Sequence, residues 1–454
     1  MKIITPLTGT LAVVGLVSLL PLHAEQKPVR LMTLDPGHFH AALVQKSMYA
    51  EVSPEVHVFA PAGPDLDLHL NRINGFNTRT ENPTTWKTQV HRSDNSLDAM
   101  LKLRPGNVVV LAGDNSRKTD NILASVKAGI NVLADKPMII TPDGMDKLRE
   151  AFKVAQKKKV LLYDIMTERH EITTMLQRAL SQMPALYGEQ SQGSPATPAV
   201  TKESVHHYFK YVSGKPLKRP PWFFDVTAEG EGIVDVTTHL VDLIQWECFP
   251  NQIMEQSDVK MLSARTWPTK LTLTQFTKAT GLKAFPASLK KYINAEGILE
   301  VDCNGEMIYT LKGVHCKVSV IWNFQAPEGA KDTHYSIMQG TRCALVIRQG
   351  AGQGYQPTLY IEPVQKGTGL TKLVQAAIGN LQKNWPGVTV KTSDNGWQVV
   401  IPQKYKIGHE GHFAQVTKAY LSYLKEGKLP AWEVPNMLVK YQTIMDAYQL
   451  SRKK

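Results

Sequence analysis

The stretch GEGIVDVTTHLVDLIQW, residues 230–246, is the part of the sequence from which the fold prediction starts. After two glycines, Asp235, His239, Asp242 and Trp246 recur at helical spacing and share one face. The other faces are apolar, so the sequence predicts a buried helix whose polar stripe faces a cleft, a ligand or a partner. A core helix whose Asp and His side chains pair with each other or cap a neighbour explains the pattern equally well.

The composition is that of a globular protein: 454 residues, 43% hydrophobic and 20% charged. This length is enough for two or three domains.

Residues 1–24 combine Lys2, an apolar run and a small-residue cleavage site that ends at Ala24. This pattern predicts a signal peptide and a periplasmic or secreted protein. The apolar run is short for a bilayer span, so an uncleaved anchor is the second choice.

Charge and cysteine content narrow the classes of partner. The formal net charge is +12, but the Lys and Arg residues are scattered, so we predict a basic surface and no nucleic-acid partner. The four cysteines are too few for a disulfide scaffold and lack the spacing of a zinc site, so no metal is predicted. Whether Cys303 and Cys316 bridge from facing strands is left open.

Strands and helices alternate in the first part of the chain, which predicts a parallel sheet covered on both faces. Its strands are predicted at 29–34, 56–60, 107–112, 131–134 and 160–163, with a first helix at 41–49. After a loop at 190–202, Thr- and Val-rich runs predict a mainly antiparallel sheet. Those strands are predicted at 204–211, 270–276, 295–303, 307–312, 317–324, 334–339, 343–348 and 358–362, and helices at 409–425 and 434–452 end the chain.

Two motifs resemble those of the Gfo/Idh/MocA oxidoreductases, named for glucose-fructose oxidoreductase, inositol dehydrogenase and a rhizopine catabolism protein. AGINVLADKP, residues 128–137, is similar to the family's segment that contains Glu-Lys-Pro. GEGIVDVTTHLVD, residues 230–242, resembles its glycine-rich stretch followed by D-x-x-x-H-x-x-D. Residues 204–246 further resemble a secreted branch of the family with its own C-terminal domain.

The resemblance implies an α/β fold with a Rossmann-type domain at 25–165 that binds NAD or NADP. An α+β domain at 166–408 with a mainly antiparallel sheet would follow, and helices at 409–454 would pack back. The implied activity is a dehydrogenase that acts on a sugar, a glycoside or a cyclitol.

The implied chemistry assigns a role to three residues. His239 is the base for a hydroxyl proton, and Asp235 binds a substrate hydroxyl or orients the imidazole. Lys136, fixed by Pro137 at a strand end, stabilises alkoxide character. Arg169 and His207 are further substrate-binding candidates, with Glu168 beside them.

The cofactor loop departs from the family pattern. The fingerprint G-x-G-x-x-G corresponds to residues 35–40, DPGHFH, which keep only the middle glycine. The acidic residue expected after the second strand is also missing, so the sequence does not decide whether the cofactor is NAD or NADP. The predicted cofactor-binding residues are Gly37, His38, Phe39, Gly113, Asn115, Asp135, Lys136 and Pro137.

Two other functions stay open. A glycoside-cleaving enzyme that uses transient oxidation would need the same Lys, Asp and His. The eroded glycine loop favours a carbohydrate-binding or scaffold protein on a degenerate dehydrogenase fold. In each case the partner is a small carbohydrate, and an exposed face of the second sheet would favour a homo-oligomer.

Overall fold

The computed structural model describes residues 28–212, 215–365 and 369–453, so the predicted signal peptide lies outside the described residues. Six strands form the first sheet: β1 Leu31–Leu34, β2 Glu55–Ala60, β3 Lys87–Arg92, β4 Val108–Leu111, β5 Asn131–Asp135 and β6 Leu162–Ile165. All are parallel, in the order β3-β2-β1-β4-β5-β6. This order, which reverses between β1 and β4, is that of a doubly wound dinucleotide-binding sheet, so the predicted fold class is confirmed.

Seven helices cover or follow this sheet: α1 His40–Leu43, α2 Pro64–Thr78, α3 Ser96–Leu103, α4 Lys118–Lys127, α5 Gly144–Lys158, α6 Ile172–Ser181 and α7 Pro184–Tyr187. The sequence of β4, VVVL, is buried throughout because helices lie on both faces of the sheet. Helix α1 is a single turn, so the longer helix predicted at 41–49 is wrong.

The second sheet has nine strands in the order β10-β11-β12-β7-β13-β14-β15-β17-β16, and only the β12–β7 pair is parallel. The mainly antiparallel sheet is therefore confirmed. Its strands and the separate β8–β9 pair are β7 Val200–Phe209, β8 Tyr211–Val212, β9 Lys215–Pro216, β10 Val259–Leu271, β11 Leu299–Leu311, β12 Val314–Gln325, β13 Thr333–Gln339, β14 Cys343–Gln349, β15 Thr358–Pro363, β16 Thr389–Ser393 and β17 Gly396–Val400.

Five more helices complete the described chain: α8 Thr237–Cys248, α9 Leu273–Thr280, α10 Leu370–Leu381, α11 His409–Glu426 and α12 Glu433–Leu450. Helix α8 packs on β7 and β12 and against α6 and α12. Helix α11 packs on β6 and α1, and α12 packs on α5. The domain boundaries stay a prediction, but the last helices contact elements of both sheets.

Three strand predictions for the second sheet differ from the structure. The strand predicted at 270–276 is the end of β10 followed by α9, whose start is fixed by Thr272: its hydroxyl oxygen accepts from the backbone N–H of Gln275. The strands predicted at 295–303 and 307–312 are one continuous strand, β11. The helix of the quoted motif also starts later than predicted, because residues 232–236 form turns.

All four cysteines are free, so no bridge joins Cys303 and Cys316. The two residues do lie on neighbouring strands, β11 and β12, but the partner of Cys316 is Tyr309. Cys303 therefore lies about 20 Å further along the strand at ~3.4 Å per residue, well beyond the reach of a disulfide. Within the described part of the chain, no helix has the length and apolar character that crossing a bilayer requires.

Candidate active site

The two motifs meet between the sheets. Lys136 directly follows β5, and its Nζ donates to Oδ1 of Asp235, which lies in the turn before α8. The side chains are 9% and 7% exposed. Burial lowers the pKa of the Lys136 ammonium, but the carboxyl groups of Asp235, Asp135 and Glu229 outweigh burial and raise it. Lys136 is therefore a fixed positive charge and not a base.

His239 lies one turn beyond Asp235, at the start of α8, and is 8% exposed. Burial lowers the pKa of its imidazole to about 4; Glu168 opposes this shift and Lys136 adds to it. Its Nδ1 is buried and has no hydrogen-bond partner among the described residues. At neutral pH His239 is thus an uncharged imidazole with a ring nitrogen available to a ligand.

The glycines of the second motif bring its turn against the second sheet. A Cβ on Gly232 would lie 1.8 Å from the carbonyl oxygen of Cys303, so only glycine fits there. The backbone N–H of Gly232 donates to the carbonyl of Asp302 over 3.1 Å. This contact anchors the turn on β11 and places Asp235 opposite Lys136.

The predicted cofactor loop lies at the switch point between β1 and β4. Gly113 follows β4, and a Cβ there would lie 2.2 Å from the carbonyl oxygen of Asp35, so the two loops touch through their backbones. Asp35 replaces the first glycine of the fingerprint and has the left-handed φ of 45° that glycine would adopt easily. A Cβ on Gly37 would lie 3.2 Å from the Asp65 carboxylate and 3.4 Å from the Trp222 ring, so protein packs against this glycine.

The loop after β4 is held to the second domain by Asn115. Its backbone N–H donates to Ala228 O and its side-chain amide donates to Glu229 O, each over 2.8 Å. Its Oδ1 is buried without a partner among the described residues. Nearby, Lys118 Nζ donates to Asp135 O over 3.0 Å, and burial lowers the pKa of this ammonium to about 8.

Histidines occupy the other end of the cofactor loop. His40 Nδ1 lies 2.9 Å from Oδ2 of Asp135, and His38 Nδ1 lies 3.6 Å from the same oxygen. The ring of Phe39 packs against that of His38, and the Arg72 guanidinium lies over it. Pro137 follows a cis peptide bond at Lys136.

The residue that completes this cluster was not predicted from the sequence. His409, the first residue of α11, places Nε2 3.4 Å from Nε2 of His40 and Nδ1 3.2 Å from Oε1 of Glu168. The sequence H-E-G-H, residues 409–412, puts two histidines one turn apart at a helix start, and this pattern was the available signal.

Arg169 and His207 are each paired with other carboxylates. Arg169 is buried and donates to both oxygens of Asp242 over 2.6 and 2.7 Å, and to Glu433 over 2.7 Å. His207 Nδ1 lies 2.8 Å from Asp332 on the second sheet. No hydrogen bond or ion pair between described residues joins either side chain to Lys136 or His239, and their role in binding substrate stays a prediction.

Comparison with solved structures gives two levels of similarity. A "putative oxidoreductase" from Parabacteroides merdae ATCC 43184 is 53% identical, with a TM-score of 0.91 over 94% of this chain and 98% of that one. Levoglucosan dehydrogenase in complex with NADH and levoglucosan is 12% identical, with a TM-score of 0.57 over 93% and 96%. KijD10, a 3-ketoreductase from Actinomadura kijaniata in complex with NADP and TDP-benzene, is 12% identical, with a TM-score of 0.54 over 92% and 96%. The last two show the fold alone.

Sequence comparison gives the family. A search of curated proteins finds no match. The family described as "Putative oxidoreductase C terminal domain" matches residues 176–452, which is more than half of the chain. Together with the identity to the Parabacteroides protein and the two motifs at Lys136 and His239, this match shows that the chain belongs to this Gfo/Idh/MocA-type oxidoreductase family.

Proposed function

We propose that the protein is an exported NAD(P)-dependent oxidoreductase that transfers a hydride to or from a ring hydroxyl carbon of a sugar, a glycoside or a cyclitol. The observation that carries this proposal is the convergence of Lys136, Asp235 and His239 from the two motifs. The names of the structural neighbours, a levoglucosan dehydrogenase with NADH and a 3-ketoreductase with NADP, support a nicotinamide and a sugar-like substrate.

The residues fit a dinucleotide at its nicotinamide end. Asn115 Oδ1 and His239 Nδ1 are buried polar atoms without partners among the described residues, and bound cofactor and substrate would supply hydrogen bonds to them. Such sheets bind ligands at the switch point, where the loops at Gly37 and Gly113 meet. When bound, the nicotinamide ring supplies the hydride acceptor or donor.

The side chains account for the proton and for the charge. In the oxidative direction, neutral His239 accepts the hydroxyl proton at a ring nitrogen, while the carbon–oxygen bond becomes a carbonyl. The Lys136 ammonium stabilises the alkoxide character that develops on that oxygen. Asp235 keeps the ammonium charged and in place through their ion pair. Because the pKa of His239 is about 4, we expect oxidation to slow as the pH falls toward that value.

The proposal is tested on purified mature protein. This protein should release NAD or NADP when it is denatured, or its Tm should rise when one of them is added. His239→Ala should lower turnover by at least about a hundredfold and leave dinucleotide binding unchanged. His315→Ala, on the exposed part of β12, is the matched control and should leave both unchanged. If neither dinucleotide is released nor raises the Tm, the redox proposal is refuted.

One observation favours a second function, a carbohydrate-binding protein on a degenerate fold. The Asp35 carboxylate replaces a glycine at the phosphate end of the site, and the Asp65 carboxylate and Trp222 ring pack against Gly37. These groups disfavour a diphosphate through charge and steric exclusion. Calorimetry separates the two functions: sugar binding without dinucleotide binding would favour the degenerate fold.

Export rests on residues 1–24 and is tested separately. Expression in a bacterial host followed by cell fractionation should recover a periplasmic protein whose first residue is Glu25. Recovery of the uncleaved chain from the cytoplasm would contradict export and leave the redox proposal unaffected.

A further inference from the structure

The loop that replaces the glycine fingerprint places two histidines beside a buried carboxylate. His38, His40 and Asp135 each offer one ligand atom, and these three atoms lie within 4.8 Å of one another. The side chains are 16%, 8% and 6% exposed, so water competes little for these atoms. We propose that His38, His40 and Asp135 bind a divalent transition metal ion, zinc or a chemically similar ion, with one position left for an oxygen ligand.

Two of the three distances between ligand atoms are close to those that such an ion needs. Ligand bonds of about 2.0–2.1 Å in a tetrahedral site separate the ligand atoms by about 3.3 Å. The Asp135 oxygen lies 2.9 Å from His40 Nδ1 and 3.6 Å from His38 Nδ1, on either side of that separation. Two imidazoles and one carboxylate are the donor set of catalytic zinc and non-haem iron sites, which keep an open position.

A line of polar contacts leads from the proposed ligands to the start of α11. Asp135, His40, His409 and Glu168 form a line of three contacts of 2.9, 3.4 and 3.2 Å. Each contact needs one hydrogen, because carboxylate oxygens and bare imidazole nitrogens only accept. A cation bound to His40 Nδ1 and to Asp135 would take the place of the hydrogen at the first contact.

Such a cation also fits the two contacts beyond it. With the ion bound to His40 Nδ1 and to Asp135, the Nε2–H of His40 donates to His409, and the Nδ1–H of His409 donates to Glu168. Metal-binding histidines commonly donate their second ring N–H to such an outer partner, which fixes the tautomer. His409 and Glu168 are therefore positioning residues for the proposed ligand His40.

The nearby ammonium groups do not occupy this position. Lys136 pairs with Asp235, and Lys118 donates to the backbone oxygen of Asp135. Each therefore has its own acceptor outside the triangle of ligand atoms.

The test is metal binding by the full mature protein after chelator treatment, without dinucleotide or substrate. Added Co²⁺ should produce a visible d–d absorption that saturates at one equivalent and disappears when Zn²⁺ is added. Zn²⁺ alone should also raise the Tm. Because no turnover is measured, the result is independent of the redox proposal, and failure of either leaves the other standing.

Variants locate the ion. His38→Ala and Asp135→Asn should each weaken Co²⁺ binding at least about tenfold. His38 is the more exposed of the two histidines, so its variant keeps the test valid if changes at Asp135 impair folding. His91→Ala removes a histidine of the same sheet outside this cluster and should bind Co²⁺ like the wild type. No absorption in the wild type at millimolar Co²⁺, or wild-type affinity in His38→Ala, would overturn the proposal.

Discussion

Replacing Lys440 by methionine should lower the free energy of unfolding by about 3–5 kcal/mol, because it leaves buried carboxylates without their cation. Lys440 Nζ lies 2.6 Å from Oδ2 of Asp164 on β6 and 2.9 Å from Oδ1 of Asp242 on α8. The three side chains are at most 2% exposed. Methionine keeps most of the apolar stem, so the loss should reflect charge and not packing.

The two carboxylates contribute unequally. Asp242 keeps two hydrogen bonds from Arg169, whereas Asp164 keeps only the hydroxyl of Tyr441, over 3.0 Å, and its Oδ1 has no partner among the described residues. Most of the loss should therefore come from Asp164. Adding Asp164→Asn to Lys440→Met should then cost much less than the sum of the two single changes.

The assay is urea unfolding followed by circular dichroism at pH 7, for the two single variants and the double variant. The control is Lys127→Met, which breaks a 2.7 Å ion pair with Glu150 whose side chains are about half exposed. That change should cost less than about 1 kcal/mol. A loss below about 1 kcal/mol in Lys440→Met as well would refute the reasoning.

Three further predictions concern stability and redox state. His69 is 2% exposed, neither ring nitrogen has a partner among the described residues, and burial lowers its pKa to about 4. The pKa of His69 in the folded protein is below the unfolded value of about 6.5, so the stability that neutral His69 contributes is fully present above pH 6.5 and is lost as the pH falls toward 4. Between pH 7 and pH 5, His69→Leu should therefore lose about 2 kcal/mol less stability than the wild type in urea unfolding. An equal loss in the two proteins would contradict this. Gly113→Ala should lower the urea midpoint, because the new Cβ would lie 2.2 Å from the carbonyl oxygen of Asp35. The control is Gly75→Ala, whose Cβ would have no neighbour within 4 Å and which should raise stability by about 0.5–1 kcal/mol. Equal effects of the two changes would contradict the close packing of the loops at Asp35 and Gly113. A thiol assay on protein denatured without reductant should detect all four cysteines as free thiols, and detection of only two would contradict the register of β11 and β12.

The parallel sheet could be predicted because its strands carry their own signal. The buried run VVVL of β4 reflects helices on both faces, and that pattern is local. Strand β3, KTQVHR, was missed because it lies at the edge of the sheet and no position of it is fully buried. The strand prediction at 270–276 was wrong because the run is rich in threonine, which is typical of strands, whereas Thr272 caps the start of a helix there.

Lys136, Asp235 and His239 could also be predicted, because each lies at a strand end or helix start that the local sequence shows. Lys136 follows the end of a parallel strand, and Asp235 and His239 lie one turn apart at the start of a helix. The role of Arg169 could not be predicted in this way. Its partners Asp242 and Glu433 are 73 and 264 residues distant, and only the tertiary fold shows that they neutralise it.

The C-terminal helices connect stability to the candidate site. His409 on α11 reaches His40 and Glu168, and Lys440 on α12 binds the carboxylates of β6 and α8. Helix α8 also carries His239, so the Lys440 ammonium holds against β6 the helix that bears the proposed base. We therefore expect Lys440→Met to weaken Co²⁺ or dinucleotide binding only under conditions where it unfolds the chain. Weakened binding in the fully folded variant would instead show that α12 positions the site directly.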